Sequence, residues 1–207
     1  MSALSLPSLS QVTNGNFSSG TLSGWTSFVT ANGTANAGGA PDVQSFDVTG
    51  GGASQSAHFN VGEVTFTGVL EGGGIFQSIV FGAAGTALFS ADIASHQSSR
   101  FSNAAGGNFE MLLDGGVIDS FDMGAIGSGA TLRHSLSASQ AVTAGSHELR
   151  FRITRPFITS VNTPDQYIDN VVASGPTGSV VPEPSSAVLL LAGGLPLAGI
   201  LIRRRKS

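Results

Sequence analysis

Three aspartates cluster around one glycine turn: Asp114, Asp119 and Asp122 beside Asp114-Gly115-Gly116. Paired carboxylates of this kind can cut glycosidic bonds, one as acid and one as base or nucleophile. The chain has 13 acidic residues, however, and most must lie in solvent, so turn and strand-edge acids are the first reading. The histidines are His58, His96, His134 and His147, and none forms a metal-ligand pair of the H-x-x-x-H type. The glycine-rich stretches lack the partner residues of a nucleophile elbow, a Walker A loop or a dinucleotide fingerprint. Cysteine is absent, which removes disulfides, thiolate metal sites and a cysteine nucleophile. No residue stands out as nucleophile or base, and the chain reads as a non-enzyme.

Sugar binding makes a different demand. Exposed Trp or Tyr rings stack on the apolar faces of pyranoses. Here there is one Trp and one Tyr. Trp25 follows a glycine, and Tyr167 falls on a strand beside Asp169, where it is as readily structural. The 13 Phe residues supply core volume without a polar handle. A sugar site would therefore draw on polar loop residues such as Asn32, Asn36, Asp42 and Gln44.

The elements that would position these residues are strands. His147-Glu148-Leu149-Arg150-Phe151-Arg152-Ile153 alternates, with Leu149, Phe151 and Ile153 on one face. Thr86–Ala94 alternates in the same way, and 74–81, 108–113 and 166–173 are further strands. Asp114-Gly115-Gly116 predicts a hairpin between Phe109–Leu113 and Val117–Phe121. No stretch of 12–174 carries sustained helical periodicity. The expected fold is all-β, an antiparallel sandwich of the jelly-roll type with about nine or ten strands, over residues 12–174.

Charge separates this body from the end of the chain. Of nine basic residues, Arg203, Arg204, Arg205 and Lys206 fall in the last five positions. Residues 1–202 hold five bases against 13 acids and no Lys, which argues against nucleic-acid binding. Residues 175–186 read as a linker and contain Pro182-Glu183-Pro184. Ala187 to Ile202 then runs without a charge, about 24 Å as a helix against a bilayer core of about 30 Å. Snorkelling by the flanking arginines and local thinning can cover the difference. The expected tail is a single transmembrane helix with Arg203, Arg204 and Arg205 as a cytoplasmic stop. Residues 1–11 read as a leader remnant or a disordered start, since Met1–Val12 has no basic segment followed by an apolar run.

The tail resembles the PEP-CTERM sorting signal of Gram-negative bacteria, through Val181-Pro182-Glu183-Pro184, the apolar run and Arg203–Arg205 in that order. The resemblance implies export across the inner membrane, anchoring, and recognition by exosortase, a membrane-embedded cysteine protease acting near the Pro-Glu-Pro. It also implies a setting of exopolysaccharide and biofilm. The body is similar to carbohydrate-binding-module jelly rolls of the galactose-binding-like superfamily. The residues that carry this are Val12-Thr13-Asn14-Gly15-Asn16-Phe17 with Leu22-Ser23-Gly24-Trp25, then Gly74–Val80, Gly145–Phe151 and Tyr167-Ile168-Asp169-Asn170-Val171. That resemblance implies a packed Trp25. It also implies a structural calcium held between the opening segment and Asp169, with Ser18 where the family places a carboxylate, a loss that weakens a hard-cation site.

The reading that follows is an exported, exosortase-processed surface or matrix protein, structural or adhesive within extracellular polysaccharide. A carbohydrate-binding module is the alternative. A glycan hydrolase using Asp114, Asp119 or Asp122 is the third.

Overall fold

The computed structural model describes residues 11–36, 39–98, 100–158 and 162–177. The Pro182-Glu183-Pro184 motif, the apolar run 187–202 and Arg203–Arg205 lie outside the described residues, as do residues 1–10. Among the described residues every regular element is a strand, and no helix is long and apolar enough to cross a membrane.

Twelve strands form, two of them a short ribbon. They are β1 (Thr26–Val29), β2 (Gly33–Thr34), β3 (Asp42–Phe46), β4 (Ser54–Phe59), β5 (Gly62–Glu63) and β6 (Glu71–Phe81). The second half supplies β7 (Gly85–His96), β8 (Asn108–Leu113), β9 (Gly116–Asp122), β10 (Thr131–Val142), β11 (Gly145–Arg155) and β12 (Asp165–Ser174). The first sheet runs β1-β6-β11-β8-β9 and the second β10-β7-β12-β4-β3, while β2 and β5 pair with each other. Every pairing is antiparallel. From β6 onward the chain crosses repeatedly between the sheets, and only β8 and β9 follow one another in the same sheet. The strand count exceeds the sequence expectation because serine-rich β10 and the short ribbon carry little hydrophobic alternation.

One apolar layer joins the sheets. Ile75, Ile79 and Phe81 of β6, with Leu149, Phe151 and Ile153 of β11, face Phe89, Ala91 and Ile93 of β7 and Ile168 of β12. Phe81 and Phe89 meet edge to face at 6.2 Å. Complete burial of such a side chain contributes about 1.5–3 kcal/mol, so this layer dominates the fold. The alternate residues Glu148, Arg150 and Arg152 are left on the outer face of β11.

The opening segment closes one edge of the core. Trp25 is 8% exposed and packs at 5.9 Å from Phe17 and 6.1 Å from Phe151. Its indole N–H donates to the Asn14 carbonyl at 3.2 Å, which satisfies its one polar atom. Gln77 of β6 clamps the segment by accepting from Thr13 N–H and donating to the carbonyls of Thr13 and Gly24. Burial of Trp25 is what the sequence reading expected.

Two turns explain the local chain path. Asp114 and Gly115 both take positive φ, 50° and 82°, as a two-residue hairpin loop requires. The glycine run at the start of β6 allows close approach: a Cβ at Gly74 would stand 1.9 Å from the Phe151 carbonyl oxygen.

Candidate functional site

The three hairpin aspartates do not converge. Asp114 accepts from the backbone N–H of Glu148 at 2.8 Å and pairs with His147 Nδ1 at 2.7 Å. Asp119 accepts from Ser120 N–H and, across to the other sheet, from Ser137 N–H of β10 at 2.7 Å. Asp122 accepts from Gly124 N–H at 2.9 Å. Each carboxylate is spent on a turn or an edge, and the three form no convergent pair. Partial burial opposes ionisation of Asp114, but the hydrogen bond from His147 and that from Glu148 hold it below the usual carboxylate range.

The carboxylates that the fold does bring together are Asp92 and Asp169, cross-strand partners on β7 and β12. Asp169 is fully buried. It accepts from Ser54 Oγ at 2.6 Å and from its neighbour Asn170 N–H at 2.7 Å. Asp92 takes Ser135 Oγ at 2.6 Å and Asn170 Nδ2 at 2.9 Å. Burial raises the affinity of Asp169 for its proton, and the charge of Asp92 adds to it; the two hydrogen bonds only partly offset this. A bulge between Asp169 and Val172, with Asn170 at φ 50°, makes Val171 the residue that bonds the opening segment, through Gly15 at 2.8 Å. Both carboxylate oxygens of Asp169 are thus taken up by hydrogen bonds, one from a hydroxyl and one from an amide N–H. Among the described residues no group of three or more His, Asp or Glu side chains could hold a metal ion.

A polar and aromatic cluster does form on the outer face of the second sheet. His58 of β4 lies between Asp42 of β3, 2.6 Å from Nδ1, and Asp165 of β12, 3.2 Å from Nε2. Burial alone would lower the proton affinity of His58, but the hydrogen bonds and charges of Asp165 and Asp42 outweigh it and raise it. Burial opposes the charge of Asp42 too, yet hydrogen bonds from His58 and Gln44 keep it below the usual range. Tyr167 stacks on Phe46 at 3.9 Å with ring planes 2° apart, and His58 and His96 flank the pair at 5.2 and 5.5 Å. Burial and the two aspartates push the Tyr167 hydroxyl far up. The carboxylate of Asp42 remains 53% exposed, with acceptor capacity left for an outside hydroxyl. Both ring nitrogens of His58 go to carboxylates, an arrangement that can bind or hold.

The first sheet carries a different outer cluster. Arg150 lies over the rings of Phe28 and Phe76 at 4.3 and 4.9 Å and bonds Glu148 at 2.8 Å. Arg152 bonds Glu110 at 2.5 Å beside a shallow groove lined by Thr30, Leu70, Glu71 and Asn108. Of the polar residues expected to line a sugar site, Asp42 and Gln44 meet, 3.2 Å apart, whereas Asn32 is engaged elsewhere, with Glu63 and Thr65. Asn36 follows the β2 strand, its carbonyl accepting from Thr34 Oγ1 at 2.7 Å. No local pattern announces the His58 cluster, because its members are 16 and 107 residues apart.

Residues 180–206 match the PEP-CTERM protein-sorting motif. The chain thus carries the signal of an exported protein sorted by exosortase. No curated protein matches it. Among solved structures it is similar to TmCBM61 in complex with beta-1,4-galactotriose, at 10% identity and a TM-score of 0.44, over 80% of this chain and 98% of that one. It is similar also to the CBM22-1 xylan-binding domain of Paenibacillus barcinonensis Xyn10C, at 12% identity and a TM-score of 0.44, over 80% and 94%. A third is the CBM22-1-GH10 xylanase 10B fragment from Clostridium thermocellum, at 13% identity and a TM-score of 0.42, of which the chain spans 28%. These likenesses are of outline and bring no ligand residue across.

Proposed function

We propose that the chain is an exported surface or matrix protein, anchored through residues 187–202 with Arg203–Arg205 as the stop, and processed by exosortase at Pro182-Glu183-Pro184. Its jelly-roll sandwich is non-catalytic and has a structural or adhesive role in extracellular polysaccharide. The observation that carries the reading is the sorting motif at 180–206, following a sandwich whose acids are committed to backbone and side-chain partners. The test is mass spectrometry of the mature protein from its native host. A C-terminus upstream of Ser207 in wild type, and full-length protein retained in the membrane for Glu183→Ala, is the expected pair. A wild-type chain still ending at Ser207 overturns it.

The second reading, a carbohydrate-binding module, is favoured by the half-exposed Asp42 carboxylate beside His58 and the Phe46–Tyr167 stack. A glycan array separates the two. Binding that disappears in Asp42→Asn supports this second reading, and an array without a hit supports the first.

A further inference from the structure

Half of the large apolar side chains that the sandwich exposes gather at one end. Of ten such residues among those described, Val29, Val64, Phe66, Val69 and Leu70 occupy the β1 terminus and the loop entering β6. Their exposures run from 53 to 74%, with Phe66 the highest. The segment Val64-Thr65-Phe66-Thr67-Gly68-Val69-Leu70 carries no charge, in a body whose residues 1–202 have 13 acids and five bases.

The loop is held rather than loose. Glu63, 1% exposed, accepts from the N–H groups of Thr67 and Gly68 at 2.9 and 3.0 Å, from Thr67 Oγ1, and from Asn32 Nδ2. Asn32 closes the other side by accepting from Thr65 N–H at 3.1 Å and donating to the Thr65 carbonyl at 2.7 Å. These bonds hold the loop's backbone at Val64, Thr65, Thr67 and Gly68 while its apolar side chains stand exposed. A preformed apolar tip loses little conformational entropy when something covers it.

Two facts select the occupant. Strand β12 ends at Ser174, level with Leu88, and Gly175 lies against Phe81 at the far end of β6. The tail therefore leaves about 36 Å from the tip, taking about 3.3 Å for each of the 11 residues of β6. The point where the chain leaves the sandwich is thus remote from the tip. Charge supplies the second fact: two copies of this acidic body repel over most approaches, and the uncharged Val64–Leu70 segment is where they can meet with least repulsion. At these exposures the five side chains offer roughly 450 Å², against about 800 Å² per partner in a standard stable interface. That area fits a weak contact between copies and falls short of an obligate one.

We infer that the Val64–Leu70 loop is a self-association surface, by which the sandwich pairs tip to tip with a second copy of the same chain. The inference goes beyond the proposed role and does not rest on it. A contact of this area forms at high local density, as on a crowded surface or in a matrix, and dissolves on dilution.

The absence of cysteine makes the test direct. The full chain is held in detergent with micelles in excess, so that tails do not share a micelle. Thr65→Cys places one thiol on the tip and Ser139→Cys places one on β10, and each is treated with a short bis-maleimide. The expected result is a covalent dimer from Thr65→Cys that is concentration-dependent and absent from Ser139→Cys. Adding Phe66→Ser should lower the yield at least about tenfold, as loss of one central apolar contact implies. Unchanged Trp25 emission confirms that the variant is folded. Equal yields at both positions, or a Thr65→Cys yield unaffected by Phe66→Ser, overturn the inference. So does a tip-attached dye that reports an apolar environment on added phosphatidylcholine vesicles but not at high protein concentration, since a lipid surface is then the occupant. Neither outcome touches the C-terminal processing experiment.

Discussion

The two outer faces of the sandwich solve one problem with different cations. On the first sheet Arg150 sits over Phe28 and Phe76 and bonds Glu148. On the second, His58 lies between Asp42 and Asp165 beside the Phe46–Tyr167 stack. Each cluster ties neighbouring strands together with a cation, carboxylates and rings. A guanidinium keeps its charge at every pH the protein meets, whereas an imidazolium does not. The faces should therefore respond alike to truncation of the shared core and differently to pH.

The largest expected effect is common to both. Trp25→Ala removes the ring that packs on Phe17 and Phe151 and should cost about 3–5 kcal/mol in denaturant unfolding. Native Trp25 emission should be blue-shifted, and red-shifted emission quenched by oligosaccharide would put the ring in a binding site instead. Next comes the face that titrates. His58→Ala leaves Asp42 and Asp165 without their shared cation and should cost about 2–3 kcal/mol at pH 6. The folded proton affinity of His58 is raised, so its contribution is complete below the unfolded value near 6.5 and is lost as pH rises through the higher folded value. Wild type minus His58→Ala stability should accordingly shrink between pH 6 and 9. A difference that stays constant over that range would mean His58 is neutral throughout.

The arginine face gives the contrast. Arg150→Ala should cost at most about 1 kcal/mol, because the pair is partly solvated, and the difference should be flat from pH 6 to 9. The smallest effect belongs to Asp169. Its folded proton affinity is raised, so ionising it costs stability as pH climbs through that value. Asparagine can keep both bonds, accepting from Asn170 N–H and donating to Ser54, so Asp169→Asn should change neutral-pH stability by less than about 1 kcal/mol. Calcium or chelator should shift the melting temperature of neither form. A wild-type curve that collapses on chelation would show a bound cation.

What could be foreseen follows the range of the interaction. Leu149, Phe151 and Ile153 fall on one face because side chains alternate, and Asp114-Gly115 turns because of backbone stereochemistry, and both are local rules. Asn108–Leu113 was placed to the residue for the same reason. Strand β10, Thr131–Val142, carries its serines outward, and its inward row of Leu132, Leu136, Ala138 and Val142 is broken by His134 and Gln140, so the alternation is weak and the strand is defined by its pairing with β7. The His58 cluster depends on three strands in register, Asp42 with His58 and His58 with Tyr167, and no short window contains that information. Asp169 meets Ser54 across 115 residues of sequence, and composition does not reveal that pairing either.

The position of β12 has a mechanical consequence. It lies between β7 and β4 inside its sheet, and the opening segment bonds it from Gln11 N–H to the Ala173 carbonyl and from Val171 N–H to the Gly15 carbonyl. Tension applied through the chain beyond Thr177 would enter along this strand. Its ladder bonds lie across the pull, so they share the load and must shear together instead of opening one by one. An edge strand such as β3 or β9 would peel at lower force. Lifetime under load is set by the unfolding rate, and the module is threaded so that a central strand takes the strain first.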